Sequence, residues 1–349
     1  MGPIGFLGAD WWGSDARATA QELRRAGAVL VERHYEDFLP TRWRSTPLRV
    51  IRRLLRPFIE REYNRAVLEL LQIEGLEFLL AFKGMLLAPE TLLEFRRRGI
   101  PIYCLYPDVS FLDHGANIHN CVPLYDCLFT TKSYHLDDPA ITKRVQKLIL
   151  VPHGFDPEVH RKLPLTPALQ RIYGCDASFV GAWSTKKERL LQTLISDNPK
   201  LKLDIWGPAW GHTNTAVRNC WKGRGAWGDE AAAIYRCSKI NLGLLSEAGT
   251  GTLSGDLTTA RTWQIPASGG FLLHEDSAEL RAHFVANAEV GVFTDAANLA
   301  DSVRWWLDHE SERQAAADRA WQRSYRDQYT YARAVKIILQ YHQQRTQTP

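Results

Sequence analysis

Arg261 sits in the window of this 349-residue chain best equipped for chemistry. The run Gly255-Asp-Leu-Thr-Thr-Ala-Arg-Thr-Trp-Gln-Ile-Pro-Ala-Ser-Gly-Gly-Phe-Leu-Leu-His-Glu-Asp276 reads as a helix feeding a tight glycine turn into a buried strand. Asp256 or Thr258 is expected to cap that helix, leaving amides at its start that attract phosphate. The planar fork of Arg261 suits a diphosphate. Asp256 and Gln264, placed on neighbouring helical faces by their spacing, could hold ribose or sugar hydroxyls. The plainer alternative is a capped surface helix with Arg261 in a salt bridge and Gly269-Gly270 as an ordinary C-cap.

A second glycine turn, Gly181-Ala-Trp-Ser-Thr-Lys-Lys-Glu-Arg189, opens another helix directly after an apolar run. Such turns cradle phosphate in many α/β proteins, although ordinary βα connections look the same and Lys186, Lys187 and Arg189 could form a solvated face. Nearer the start, Gly5-Phe-Leu-Gly-Ala-Asp-Trp-Trp-Gly-Ser14 has glycines and a helix cap but not the G-x-G-x-x-G order. Asp10, Trp11 and Trp12 would offer a carboxylate and two stacking faces, or the tryptophans simply cover the core. Tyr106-Pro-Asp-Val-Ser-Phe-Leu-Asp-His114 follows a strand, where α/β proteins gather ligand groups. Asp108, Asp113 and His114 are the best proton acceptors of that half. His119 and His135 suit structural hydrogen bonds, and His153 could contact a substrate.

The elements that must position these residues alternate. Apolar runs at Ile4–Leu7, Ala28–Tyr35, Glu77–Phe82, Ile100–Tyr106, Asp126–Thr130 and Lys147–Val151 predict strands. Helical patterns at Ala16–Ala26, Pro47–Gln72 and Pro89–Arg98 lie between them. Prolines crowd the stretch from Pro152 to Pro167 and break both periods, so an interdomain linker is expected there. Further strands are predicted at Ala177–Val180, Leu201–Trp206, Lys239–Leu244 and Gly270–Leu273, with helices at Lys186–Ile195, Glu230–Cys237 and Asp256–Ala267. Beyond Asp295 the pattern is helical, with a last helix long enough to pack on the first domain and a frayed Gln343–Pro349 tail. Strands alternating with helices imply parallel βαβ units. The expected division is 1–155 plus a helix at about 325–345 against 156–324.

Composition is compatible with two ordinary cores: 45% of residues are hydrophobic and 11% aromatic,. The net charge of +4 does not force a nucleic-acid partner,. The six cysteines form no CxxC pair, which argues against a zinc knuckle,. With no basic, apolar leader at Met1 and no run long enough to span a bilayer, a reduced, cytoplasmic protein is expected. Arg42–Arg65 holds eight arginines, with Leu48, Ile51, Leu55 and Phe58 on one helical face. The preferred reading is a helix packed on the first domain with a solvated arginine face. The other is peripheral contact with anionic lipid.

Thr259-Ala-Arg-Thr-Trp-Gln-Ile-Pro-Ala-Ser-Gly-Gly-Phe-Leu-Leu273 resembles the T-x-R-x-F-E-I-P-A-x-G-G-F-L-L core of the CgeB-like, group-1-related glycosyltransferases. Ala177-Ser-Phe-Val-Gly181, Ile205-Trp-Gly-Pro-Ala-Trp210, Val151-Pro-His-Gly-Phe-Asp-Pro157 and the Glu279–Leu299 run are similar to further motifs of that family. The likeness covers roughly residues 150–335 and implies a GT-B fold: two Rossmann-like domains facing across a cleft, with a nucleotide diphosphate sugar held by the second. Arg261, Thr259 and Asp256 would then line the donor, with Gly181, Trp183 and Lys187 opposite. Arg224, Ala226 and Trp227 would hold the base by main-chain contacts. Asp108, His114 and Asp10 would be candidates for the catalytic base, and Trp11, Trp12 and His153 would lie on the acceptor side. Where related retaining enzymes carry E-x7-E, this chain has Asp256-x7-Gln264, so nucleotide preference is open. No D-x-D triplet offers a metal bridge, and neither metal nor cofactor is expected,. Sugar transfer to an unidentified glycan, lipid-linked or small-molecule acceptor is the leading reading. A sugar-nucleotide epimerase, or a non-catalytic sugar-nucleotide or glycan-binding protein of spore or surface assembly, are the alternatives.

Overall fold

The computed structural model describes residues 2–39, 46–112 and 115–347. The chain forms two compact units. Met1–Pro152, Gly249–Ser254 and Ala334–Pro349 make the first, and His153–Ala248 with Gly255–Arg333 the second.

The first unit is built on β1 (Pro3–Gly8), β2 (Val29–His34), β3 (Phe78–Phe82), β4 (Ile102–Tyr106), β5 (Cys127–Thr130) and β6 (Leu148–Leu150), ordered β2-β1-β3-β4-β5-β6 and parallel throughout. β3 and β4 are buried at every position, as continuous apolar runs with both faces covered require,. Leu79, Ala81, Ile102 and Cys104 pack on one side with Ile59, Tyr63 and Val67. Phe78, Leu80, Tyr103 and Leu105 pack on the other, under Ala334, Val335, Ile338 and Leu339 of the last helix, Ala332–Gln347. That helix runs to Gln347, so the expected frayed tail from Gln343 is helical. Its His342 Nδ1 meets the Tyr103 hydroxyl at 3.0 Å, and Arg345 donates to Asp126 at 3.0 Å.

The second unit carries β7 (Ala177–Val180), β8 (Leu203–Trp206), β9 (Ile240–Gly243), β10 (Leu272–Glu275) and β11 (Gly291–Phe293), again parallel, in the order β11-β10-β9-β7-β8. Three-residue β11 has no counterpart among the predicted strands. The first and last segments of the second unit run side by side. Phe155 N–H donates to the Tyr329 carbonyl at 3.0 Å, and a Cβ on Gly154 would lie 2.4 Å from the Thr330 backbone, so only glycine fits,.

Two expectations need correction. The apolar stripe of the basic helix, Thr46–Leu68, packs only in its second half: Ile59, Tyr63 and Val67 are buried, whereas Ile51, Leu55 and Phe58 are exposed. Arg42 to Ser45 lie outside the described residues, as does the Leu48 side chain. Gly249–Ser254, expected with the second domain, belongs to the first unit. Its Thr250 carbonyl accepts from Ser110 Oγ at 2.6 Å.

Candidate functional site

In each unit the strand order reverses at one place, between β1 and β3 and between β7 and β9. Ligands of open α/β sheets bind outside the carboxyl ends of strands at such a reversal.

In the second unit this point carries Gly181 after β7 and Leu244-Leu-Ser246 after β9. The Ala260–Ala267 helix follows, with Thr259 as its N-cap. The Thr259 amide donates to Thr262 Oγ1 at 3.0 Å, and Thr262 meets His274 Nε2 at 2.9 Å, while His274 Nδ1 lies against the Glu275 carbonyl. Burial drives the His274 imidazole down to about 4, so it is neutral, with its proton on Nδ1,. Asp256 and Thr258 do not cap this helix. Thr258 Oγ1 donates to Glu279 at 3.0 Å, and Asp256 precedes the helix, its amide on the Ser246 carbonyl at 2.9 Å. The helical-face relation expected between Asp256 and Gln264 therefore does not hold, because only Gln264 is helical.

Arg261 leans back over β7. Its Nη2 donates to the Leu244 carbonyl at 2.8 Å, and its guanidinium lies 5.1 Å from the centre of the Phe179 ring. A Cβ on Gly181 would meet Arg261 Nη1 at 2.8 Å, so glycine is what allows this approach. Lys187 is buried one helical turn inside Thr185–Asp197, its Nζ held by Ser246 Oγ at 2.9 Å and the Ala182 carbonyl at 3.3 Å. Burial, with Arg261 adding repulsion, pushes the Lys187 ammonium down to about 8. Two mutually repelling cations are thus hydrogen-bonded by neutral oxygens, with Asp256 facing both and Glu247 facing Lys187. That arrangement suits a multiply charged anion.

The expected phosphate cradle at Gly181–Lys187 is altered. Glu247 occupies the start of that helix, accepting from Ser184 Oγ and, at 3.2 Å, from the Lys186 amide. Burial pushes the Glu247 carboxyl up, but these hydrogen bonds and Lys187 draw it down further, so it is ionised. Lys186 itself pairs with Glu275. Trp183 is anchored by Nε1 to Glu188 at 2.8 Å and set edge-on to His212. In the loop before the Gly228–Cys237 helix, Arg224 grips Glu230 with Nη1 at 2.6 Å and lies over Trp206, while its carbonyl accepts from Gly207 N–H at 3.0 Å. Ala226 is buried and Trp227 is half exposed.

In the first unit the loop after β1 presents Trp11 and Trp12, both exposed, so neither closes the core. Arg17 lies 4.5 Å over the Trp12 ring and 3.7 Å from Asp10. The Asp10 amide donates to Glu36 at 2.7 Å. Asp108, after β4, meets Lys83 Nζ, after β3, at 2.7 Å. Burial pushes the Lys83 ammonium down, but Asp108, helped by Tyr35 and Asp15, leaves it raised on balance. An ammonium this close favours the ionised carboxylate,. Lys83 has a φ of +65° and Gly84 follows at +74°. A lysine in left-handed backbone at a strand end is strained, a feature that clusters at functional sites. Asp113 and His114 lie outside the described residues. His135 is a buried structural group, 2.7 Å from Thr130 Oγ1, and His119 lies against Arg144. His153 is buried in the second unit, its carbonyl accepting from Arg333 at 2.9 Å.

Spacing alone did not single out Ser246, Glu247, His274 or Lys83. Lys83 carried one usable signal, a lysine followed by glycine at the end of a fully apolar strand. Among the described residues no cluster of His, Cys, Asp and Glu could hold a metal ion, and no helix is long and apolar enough to cross a membrane.

Residues 185–340 match the model of a family described as glycosyl transferase-like. No curated protein sequence matches. Several solved structures share the architecture over nearly the whole chain. A sucrose-phosphate synthase from Thermosynechococcus elongatus is 11% identical with a TM-score of 0.67, covering 100% of both chains. A glycosyltransferase from Rickettsia africae is 11% identical at 0.66, covering 99% of each. Anabaena HepE, solved in complex with UDP and glucose, is 10% identical at 0.58, covering 97% of this chain and 99% of that one. The fold is GT-B, with two parallel-sheet, Rossmann-like domains and the last helix returned to the first.

Proposed function

We propose that this chain transfers a sugar from a nucleotide diphosphate sugar to an acceptor held by the first unit. The observation that carries this reading is the Lys187–Arg261 cation pair at the strand reversal of the second unit, within the segment that matches the glycosyl transferase-like model. HepE, the structural relative solved with UDP and glucose, is consistent with that donor class. The motif likeness around Arg261 favours a CgeB-like, hexose-transferring member. Arg261 and Lys187 neutralise the diphosphate, Thr259 and Gln264 offer hydrogen bonds to hydroxyls, and Trp227 with Ala226 borders the base. Trp11, Trp12 and Asp108 serve the acceptor. A thermal-shift screen against common nucleotide sugars tests the reading, with UDP-sugars expected to stabilise the chain. Incubation of the stabilising donor without acceptor then separates the chemistries, because an altered sugar nucleotide would indicate an epimerase instead.

Lys187 makes diphosphate affinity depend on pH. The free protein holds its ammonium near 8, and a bound diphosphate raises that value. Below about pH 8 the lysine is already charged and UDP affinity is flat. Above it, binding must take up one proton, so affinity is expected to fall by up to about tenfold per pH unit. Titration calorimetry across this range should show the fall in the parent and its flattening in Lys187→Met. Equal pH dependence in both would remove Lys187 from the site.

The positive groups proposed to meet the diphosphate belong to the protein. Turnover is accordingly expected to survive EDTA unchanged. Strict dependence on Mg²⁺ or Mn²⁺ would overturn the Arg261–Lys187 assignment.

A further inference from the structure

We propose that the projecting half of the Thr46–Leu68 helix docks this protein on an anionic lipid bilayer. The helix has two differently furnished halves. From Ile59 onward, Ile59, Tyr63 and Val67 recur on one face and are buried in the first unit. Before that, the described side chains from Ile51 to Phe58 are all exposed. Pro57, which has no N–H to give to the Arg53 carbonyl, stands at the boundary,.

Ile51, Leu54, Leu55 and Phe58 are 43%, 75%, 43% and 55% exposed. Their spacing of three, four and seven residues places them in one stripe along the helix. Single exposed apolar residues are ordinary, but a contiguous stripe marks an interaction surface. Arg53 and Arg56 lie off that stripe. From Arg42 to Ile59 the sequence has six arginines and no acidic residue.

The stripe has apolar neighbours. Arg56 reaches Gly115, where a Cβ would meet its Nη2 at 3.3 Å. On the same loop Leu112 is 44% exposed and packs against Gly251, and Leu253, two residues further, is 66% exposed. The projecting half of the helix and these loops thus offer apolar side chains beside arginines, of which Arg56 is paired with Glu60 at 2.7 Å and Arg53 stands outside that pair. An amphipathic helix with such faces lies in a bilayer interface, apolar side down, with its cations among anionic headgroups. A second copy is a poor occupant, because a two-fold contact through this face sets arginines against arginines. The inference is independent of the donor chemistry proposed above.

Sedimentation of the full chain with vesicles tests it, using phosphatidylcholine alone and phosphatidylcholine mixed with phosphatidylglycerol. Binding to the mixed vesicles is expected to be at least about tenfold tighter and to weaken with added salt. A Leu54→Ser, Leu55→Ser, Phe58→Ser triple variant and an Arg53→Glu, Arg56→Glu double variant should each lose about tenfold or more. Circular dichroism and UDP binding should stay at the parent's level in both, since these side chains are exposed. Equal partition onto the two vesicle types, or undiminished binding by the triple variant, overturns the proposal. So does light scattering that reports a dimer which the triple variant dissolves.

Discussion

Arg261→Ala is expected to weaken UDP binding by about 2–4 kcal/mol, roughly thirty- to a thousandfold, as loss of a charge-assisted contact in a low-dielectric site should. The guanidinium is held where water competes poorly, over Phe179 and on the Leu244 carbonyl. Lys187 compensates only in part, because Ser246 and the Ala182 carbonyl fix its ammonium in place and it offers a single charge. The substitution also removes a repulsive neighbour, so Lys187 should titrate at higher pH in the variant. The surrounding fold is expected to survive, since the Thr259–Thr262–His274 chain that starts the helix does not include Arg261. Calorimetry with UDP measures the loss. Affinity equal to the parent's would eliminate the cation pair as the diphosphate site, and the sugar-transfer reading would lose its main support.

Asp108→Asn is expected to lower turnover by about a hundredfold or more while leaving UDP affinity intact, provided transfer inverts the anomeric centre. Inversion requires a side chain to take the acceptor's proton as the new bond forms. The asparagine keeps the shape of the aspartate and can still accept a hydrogen bond from Lys83, but it cannot take a proton. The Lys83 partner supplies a second readout. An ammonium 2.7 Å away favours the ionised carboxylate,. Lys83→Met should therefore move the acidic limb of the rate profile upward. A structural Asp108 would leave that limb where it is. Product stereochemistry, read by NMR of the anomeric proton, decides whether the requirement applies. For a retaining reaction, Asp108→Asn should act on acceptor binding alone. Near-normal turnover by an inverting enzyme would move the search to Asp10 and His114.

Ten of the eleven strands could be read from the sequence: inner strands such as β3 and β4, covered on both faces, are unbroken apolar runs, and the less buried edge strands β2 and β6 still carry short apolar stretches. β11 escaped because Gly291-Val-Phe293 is too short to show a period. The donor-side helix was legible, but its start was not. Asp256, Thr258 and Thr259 are all competent caps, and the choice of Thr259 depends on the hydroxyl of Thr262 and on His274, a strand away. Arg261 was legible as a cation before a glycine turn, whereas its dependence on Gly181 is a contact across eighty residues. The Lys83–Asp108 pair was hidden for a similar reason. Phe82 and Leu105 are register partners on adjacent strands, so the residues beyond them converge, but register is a property of the sheet,. Glu247 at the helix start after Ser184 was beyond reach, because a carboxylate standing where phosphate was expected leaves no mark in the local pattern.

The last helix fixes an order of assembly on the ribosome. Synthesis delivers the six strands of the first unit before the second unit, but Ala334, Val335, Ile338 and Leu339, which cover Phe78, Tyr103 and Phe129, leave the exit tunnel only after it. The second unit is continuous but for one short excursion and is complete in sequence by Arg333. The half made first is thus finished second. Until that helix emerges, the nascent chain carries a sheet with one uncovered apolar face, the kind of surface that chaperones bind and that aggregates when folding is slow.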